Sequence, residues 1–246
     1  MKASAPALSL AAGNEAEPRE QDDDESFRPS SLNQRTYHTL REAILSGGFM
    51  PGSMLNIRPI AAMLGVSPTP VRDALSRLQA DGALEALPNR AFRLPVPSVE
   101  EFRQLSIMRI RLEECAVQHA AALITPAEVI KVSDLYDEMS SLVDRPSDEY
   151  LAAHRRFHFM IYDAARMPLL REAIERLWLR IGPLMHASSN LEEQPLDDKT
   201  HAEIVRALKA GDPFAATIAV RDDLTHTTGP VLAYLSSIDK RNTPSE

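Results

Sequence analysis

The segment SPTPVRDALSRLQADG, residues 67–82, decides the architecture of the first half of this chain. Ser67 stands where a helix N-cap is expected, and Pro68 and Pro70 fall in the first turn, where backbone N–H groups lack helical acceptors and proline costs little. Val71, Leu75 and Leu78 then recur at i, i+4 and i+7, the spacing of one buried stripe, and Asp81-Gly82 stops the helix. Thr69, Arg72 and Ser76 align on another, polar and cationic face. Upstream, Ile60, Ala61 and Leu64 suit a short helix that leaves through Gly65. Further upstream, Tyr37, Leu40, Ile44 and Leu45 predict a helix over 33–46 that ends at Gly47-Gly48, with a turn at Pro51-Gly52 before the next element. Downstream, Leu84, Leu87, Phe92 and Leu94 are set for a β hairpin around Pro88-Asn89-Arg90. Two helices joined by a tight turn, followed by a cationic hairpin, have the pattern of a winged helix-turn-helix, whose second helix enters the DNA major groove, and by composition alone the same arginines suit equally the solvated face of a small helical domain. Arg90 and Arg93 of the wing are placed to reach phosphates or the minor groove.

The net charge is −8, from 27 basic and 35 acidic residues, and a uniform spread of it would argue against a nucleic-acid binder. The spread is uneven. Residues 1–30 carry a net −4 with no helical or strand period, the composition of a disordered acidic tail. Residues 31–97 carry a net +3, all of the basic groups being arginines, and residues 98–246 a net −7. Length, 44% hydrophobic and 25% charged content accommodate one large domain or two small ones. The expected organisation is therefore a tail over 1–30, a DNA-binding domain over 31–97 and a larger domain over 98–238. A lone cysteine, Cys115, excludes an internal disulfide framework and a cysteine-rich zinc finger. No apolar run approaches the roughly 18 residues that cross a bilayer, and Pro6 and Ser9 interrupt the only stretch resembling a signal peptide, so a cytoplasmic protein with no membrane segment is expected.

From Ser98 onward the pattern is helical only. Capping boxes at Ser98-x-x-Glu101 and Thr125-x-x-Glu128 open helices running to about 123 and 143. Further helices are expected over roughly 148–165, 168–187, 199–210 and 213–237, with prolines at the joints and an acidic loop over 192–198. The fold class is mainly α: an N-terminal winged helix-turn-helix with a small β wing, then an all-α helical bundle.

Polar residues interrupt the apolar faces of that bundle. Arg109 lies in the stripe Phe102, Leu105, Leu112, Ala116, with Glu113 at i+4. A buried arginine needs an anionic partner, so the pair is either structural or the anchor of an anionic ligand. His154 and His158 sit one turn apart on AAHRRFHFMIYDAA, a spacing that can chelate one metal ion or can belong to an ordinary core. His201 lies on the stripe of its helix with Ile204, Val205 and Leu208. Asp223 shares a face with Ala216, Ala219 and Val220 and has His226 at i+3. Arg155 stands where the metalloprotease pattern H-E-x-x-H needs its glutamate. Cys115 and Trp178 read as structural, Trp178 beside Ile174 and Leu177.

The wording AILSGGFMPGSML, LGVSPTPVRDALSRLQADGAL and PNRAF resembles the winged helix-turn-helix of the GntR family of bacterial transcription factors along nearly all of residues 33–95. That resemblance places Thr69, Arg72 and Arg77 where the family contacts DNA and Arg41 at a phosphate-facing position. Pro68 departs from the family, which often has an arginine there. FHFMIYDAA and HAEIVRALKAGDPFAA are similar to the FCD effector-binding domain of the FadR branch, over about residues 100–235. The branch often binds a divalent metal, and its ligand positions fall on His154, His158, His201 and Asp223, the acidic and last histidine positions having exchanged types. Three imidazoles and one carboxylate suit Zn²⁺, Ni²⁺ or Mn²⁺.

The resemblance implies a homodimeric regulator that binds a two-fold-related operator in double-stranded DNA. It also implies a small organic acid as effector; a metal with an open coordination position together with Arg109 would hold such an anion through charge-assisted bonds. The rival is a metal-dependent hydrolase in a helical bundle with an accessory basic domain. Against it stand the missing base beside the histidines and the lack of a G-x-S-x-G nucleophile motif.

Overall fold

Helix α1 (Leu32–Leu45) starts on a complete capping box, with Ser31 and Gln34 satisfying each other's backbone N–H groups, and buries Tyr37, Leu40 and Ile44. A computed structural model describes residues 31–88, 91–143, 148–189 and 199–242 of the chain. The expected tail over 1–30, the wing tip with Arg90, and the acidic loop over 192–198 lie outside the described residues. The remaining elements are β1 (Met54–Leu55), α2 (Ile57–Leu64), α3 (Pro68–Ala80), β2 (Glu85–Leu87), β3 (Ala91–Arg93), α4 (Val99–Leu123), α5 (Pro126–Ser140), α6 (Asp148–Ala164), α7 (Pro168–Ser189), α8 (Lys199–Ala210), α9 (Pro213–His226) and α10 (Thr228–Asn242). The molecule is mainly α with one small antiparallel sheet of order β1-β3-β2.

Helix α3 is the one quoted at the outset, and Val71, Leu75 and Leu78 are each fully buried against α1. Ser67 occupies the N-cap, yet its side chain makes no capping bond. Pro70 stands at the third helical position and has no N–H to offer, so the usual partner of a capping hydroxyl is missing. Gly65 ends α2 at φ +66, a left-handed conformation that glycine adopts without steric cost. The hairpin β2–β3 pairs Ala86 with Phe92, and β1 adds Leu55 beside Phe92 on the other edge. The sequence pattern left β1 as part of a connection, because two residues carry no detectable alternation.

In the second half, both capping boxes form as expected. Three boundaries differ from expectation. Helix α5 stops at Ser140 and the chain turns through Val143. Helix α7 continues to Ser189 through Pro183, where one N–H is lost while Ile181, Leu184 and Met185 stay buried around it. The expected single helix over 213–237 is two helices, divided at Thr227. Gly229-Pro230 explains the break, since Pro230 sits in the first turn of α10, where a missing N–H is harmless. Helix α4 packs on α6, α7 and α9, and α8 packs on α9, so α4, α6, α7, α8 and α9 surround a common interior.

The two halves touch through α1 and α7. A Cβ on Gly47, at φ +74, would come within 2.2 Å of the His186 ring, so glycine is needed there for both backbone and space. A Cβ on Gly182 would meet the Leu45 carbonyl oxygen at 3.3 Å. Ion pairs flank this contact: Glu42 with Arg155 at 2.5 Å, and Arg41 with Glu175, which also holds Arg171 at 2.7 Å.

Candidate DNA interface, metal cluster and effector cleft

Thr69 and Arg72 are exposed on α3, on the side opposite its buried stripe. Arg77 is also exposed at the residue level, but its guanidinium lies 3.9 Å over the Tyr37 ring, and Tyr37 donates to Asp81 at 2.8 Å. Arg93 is paired with Glu85 across the hairpin at 2.6 Å. Arg41 differs most from its expected place. Its guanidinium is turned toward α7, bonded to Glu175 and, at 3.1 Å, to Glu42, with its side chain only 12% exposed.

In the helical half the polar interruptions converge. One ligand atom each from His154 and His158 on α6, His201 on α8 and Asp223 on α9 lie within 4.8 Å of one another, and all four residues are buried. The separations include His154 Nε2 to His158 Nε2 at 3.1 Å, His158 Nε2 to Asp223 Oδ2 at 3.4 Å, and His201 Nε2 to Asp223 Oδ1 at 3.1 Å. Ligands bound at about 2.0–2.1 Å in tetrahedral to octahedral geometry stand roughly 3 Å apart, so these three spacings match adjacent ligands of one ion. Burial, and then the neighbouring histidines and Arg109, push His154 and His158 well below the ordinary imidazole range. They are neutral and able to coordinate. Asp223 Oδ2 and His154 Nδ1 are buried with no hydrogen-bond partner, a costly state for a polar atom. A divalent cation at the cluster would satisfy the carboxylate, and the donor set fits one.

His226, the expected neighbour of Asp223, faces away: it is exposed and its Nδ1 is bonded to the Asp222 carbonyl at 2.7 Å. It cannot stand in for Asp223.

Two residues beside the cluster escaped the sequence reading. Tyr162, on the His158 side of α6, places its hydroxyl 3.1 Å from His158 Nδ1 and donates to Glu113. Trp178, taken as plain core, donates from Nε1 to Glu113 at 2.8 Å and lies 5.8 Å in ring centroid from both His154 and His158. The one available signal was a hydroxyl-bearing aromatic at i+4 from His158, where an apolar residue would have completed the stripe.

Arg109 does pair with Glu113, at 2.8 Å from Nε, and its guanidinium rests 4.8 Å over the Trp178 ring. Burial opposes its charge, but Glu113, Tyr162 and Asp223 outweigh burial and raise its pKa. The pairing leaves one edge over. Nη2 is buried without a partner, and Nη1 reaches only Thr227 Oγ1 at 3.5 Å and Met185 Sδ at 3.7 Å. That edge borders a narrow cleft lined by Phe102, Ser106, Ile181, Leu224 and Thr227, with about 10 Å³ open to a water-sized sphere, the room of one water. Thr227 is the residue that divides α9 from α10, so the helix break builds this wall.

Comparison with known proteins agrees with both halves. Residues 32–94 match the bacterial regulatory proteins of the gntR family, and residues 104–226 match the FCD domain. The HTH-type transcriptional regulator McbR of Escherichia coli K12 is 31% identical over 187 residues, 74% of this chain and 84% of its own length. The solved structure of E. coli McbR/YncC superposes with a TM-score of 0.74 at 28% identity, covering 84% of this chain and 98% of that one. A structure described as a GntR regulator from Rhodococcus sp. RHA1 gives 0.68 at 27% identity, covering 83% and 99%. The hydrolase alternative finds no support in these relatives, which are transcription regulators, and no helix among the described residues is long and apolar enough to cross a membrane. A winged helix-turn-helix joined to a helical domain with a buried polar interior, matched along both parts, places this chain in the GntR family of DNA-binding transcription regulators, among the members that carry an FCD domain.

Proposed function

We propose that this chain is a cytoplasmic, homodimeric regulator whose DNA-binding domain, residues 31–97, recognises a pseudo-palindromic operator. In this reading its helical domain, residues 98–238, senses a small carboxylate metabolite through a divalent metal. Thr69 and Arg72 read base edges in the major groove, with Arg77 and Arg90 on the flanking backbone. A dimer with two-fold symmetry would set two such helices on two half-sites. His154, His158, His201 and Asp223 hold Zn²⁺, Ni²⁺ or Mn²⁺; when bound, the ion supplies an open position for a carboxylate oxygen. Arg109 offers its free guanidinium edge to the other end of the anion through charge-assisted bonds. The observation that carries the metal assignment is the convergence of those four buried side chains from three helices.

The cleft beside Arg109 has room for no more than about one water, so an organic acid must favour a more open state. Only such differential affinity can shift a conformational equilibrium. The route to DNA is short. Arg155 follows His154 on α6 and pairs with Glu42, while Glu175 lies one turn before Trp178 on α7 and pairs with Arg41, so both sensing helices hold α1.

Metal analysis of undialysed protein tests the reading, with close to one divalent ion per chain expected. His158→Ala should release it most readily, because no other group on that turn of α6 can replace the imidazole. Absence of an ion, together with no thermal stabilisation on adding Zn²⁺, Ni²⁺ or Mn²⁺, would refute the metal site and leave Arg109 as sole anchor.

A further inference from the structure

Donor and acceptor counting around Glu113 fixes more than a salt bridge. Glu113 is fully buried, and its Oε1 accepts from Arg109 Nε at 2.8 Å and from Trp178 Nε1 at 2.8 Å. Both partners can only donate. Its Oε2 faces the Tyr162 hydroxyl, and the carboxylate of an arginine pair has no proton to give, so the single hydroxyl hydrogen of Tyr162 goes to Glu113. The Tyr162 oxygen is then an acceptor toward its remaining neighbour, His158 Nδ1, at 3.1 Å. His158 must carry its proton on Nδ1, which leaves Nε2 bare and turned to His154 Nε2 and Asp223 Oδ2.

We propose that Glu113, acting through Tyr162, is the positioning residue that sets His158 as the Nδ1–H tautomer and so presents Nε2 to the metal cluster. This rests on the reading of the cluster as a metal site. It makes the two histidines of α6 unequal. His158 is preset for coordination, whereas His154, facing the bare His158 Nε2, donates to it from Nε2 and has no partner at Nδ1, so its proton must move to Nδ1 before its own Nε2 can ligate. The same carboxylate orients Arg109, and the metal and anion arms of the site therefore share one support. Supports of this kind fix ring orientation and ligand basicity at metal sites generally.

The test is a side-chain ¹⁵N–¹H correlation spectrum of the full metal-stripped chain. Wild-type His158 should show the Nδ1–H tautomer; an Nε2–H pattern would overturn the proposal. Glu113→Gln should invert it. Its amide oxygen must face Arg109 and Trp178, its NH₂ then faces Tyr162, and the tyrosine hydrogen is left for His158 Nδ1, driving the imidazole proton to Nε2. Tyr162→Phe keeps the ring and the Arg109 pair but removes the relay. Zn²⁺ affinity, measured by chelator competition, should fall about 10- to 100-fold in Tyr162→Phe while the protein stays folded by circular dichroism. Unchanged Zn²⁺ affinity, or a Tyr162→Phe spectrum with His158 still fixed as Nδ1–H, would refute the relay. Should Glu113→Gln fail to fold, wild type and Tyr162→Phe decide the matter alone. Wild-type protein that binds no Zn²⁺ would sink the metal reading, while the tautomer measurements would still decide the relay.

Discussion

The two halves of this molecule put their charge in opposite places. Among the described residues of the first half no charged side chain is buried, and the hydroxyl of buried Thr36 returns to the Leu32 carbonyl at 2.8 Å, within its own helix. The second half buries Arg109, Glu113, Glu114, His154, His158, His201 and Asp223. The difference follows from the partner each half meets. DNA is larger than the domain and is met from outside, so the arginines of α3 can stay solvated until binding releases counterions. A small molecule must be enclosed to be recognised, and charged groups set to meet it must be desolvated in advance, which is tolerable only when they satisfy one another.

Removing Glu113 should expose this contrast most strongly. Glu113→Ala leaves the Arg109 charge, the Trp178 N–H and the Tyr162 hydroxyl buried without their acceptor, and a cost of about 3–5 kcal/mol in urea unfolding is expected. A cost below about 1 kcal/mol would show that water reaches the network. Arg72→Ala should do the reverse. Unfolding should change by less than about 0.5 kcal/mol, while operator affinity falls by about 1–3 kcal/mol. Unchanged affinity in a titration would remove Arg72 from the interface.

Acid should separate the halves next. His154 and His158 are held far below the ordinary value of 6.5 by burial first and by the neighbouring histidines and Arg109 after it. The unfolded chain takes up these protons near that value and the folded chain does not. Their neutral state therefore supports folding fully above about pH 6.5, and the support is lost as pH falls below it. Melting of metal-stripped protein should drop between about pH 7.5 and pH 5.5, and His154→Gln combined with His158→Gln should flatten the curve. An equally steep drop in the double variant would move the acid sensitivity elsewhere.

The smallest expected effect concerns Arg41, a basic residue of the first half whose side chain is largely covered. Glu175→Gln frees its guanidinium from α7, and the slope of log affinity against log salt should steepen by about one phosphate contact. An unchanged slope would mean that Arg41 stays on α7 when DNA binds.

Local chemistry was legible wherever the signal lay within one helix. The stripe Val71, Leu75, Leu78, the capping boxes at Ser98 and Thr125, and the pairing of Arg109 with Glu113 all depend on spacings of three to seven residues along one helix, and all three formed. The division at Thr227 was also written in Gly229-Pro230, though an apolar period running across it concealed the stop. What the sequence by itself determined was thus the order of the helices up to α8, the exposed cationic face of α3 and, with the family resemblance, the four cluster positions. Tertiary structure alone decided that three helices bring ligand atoms of His154, His158, His201 and Asp223 within 4.8 Å of one another, that Trp178 and Tyr162 join Glu113, and that Arg41 turns to Glu175. The reason is one of range. Helical periodicity says which side of a helix is buried but not which residue it meets, and a buried polar atom finds its partner through packing between segments far apart in the chain.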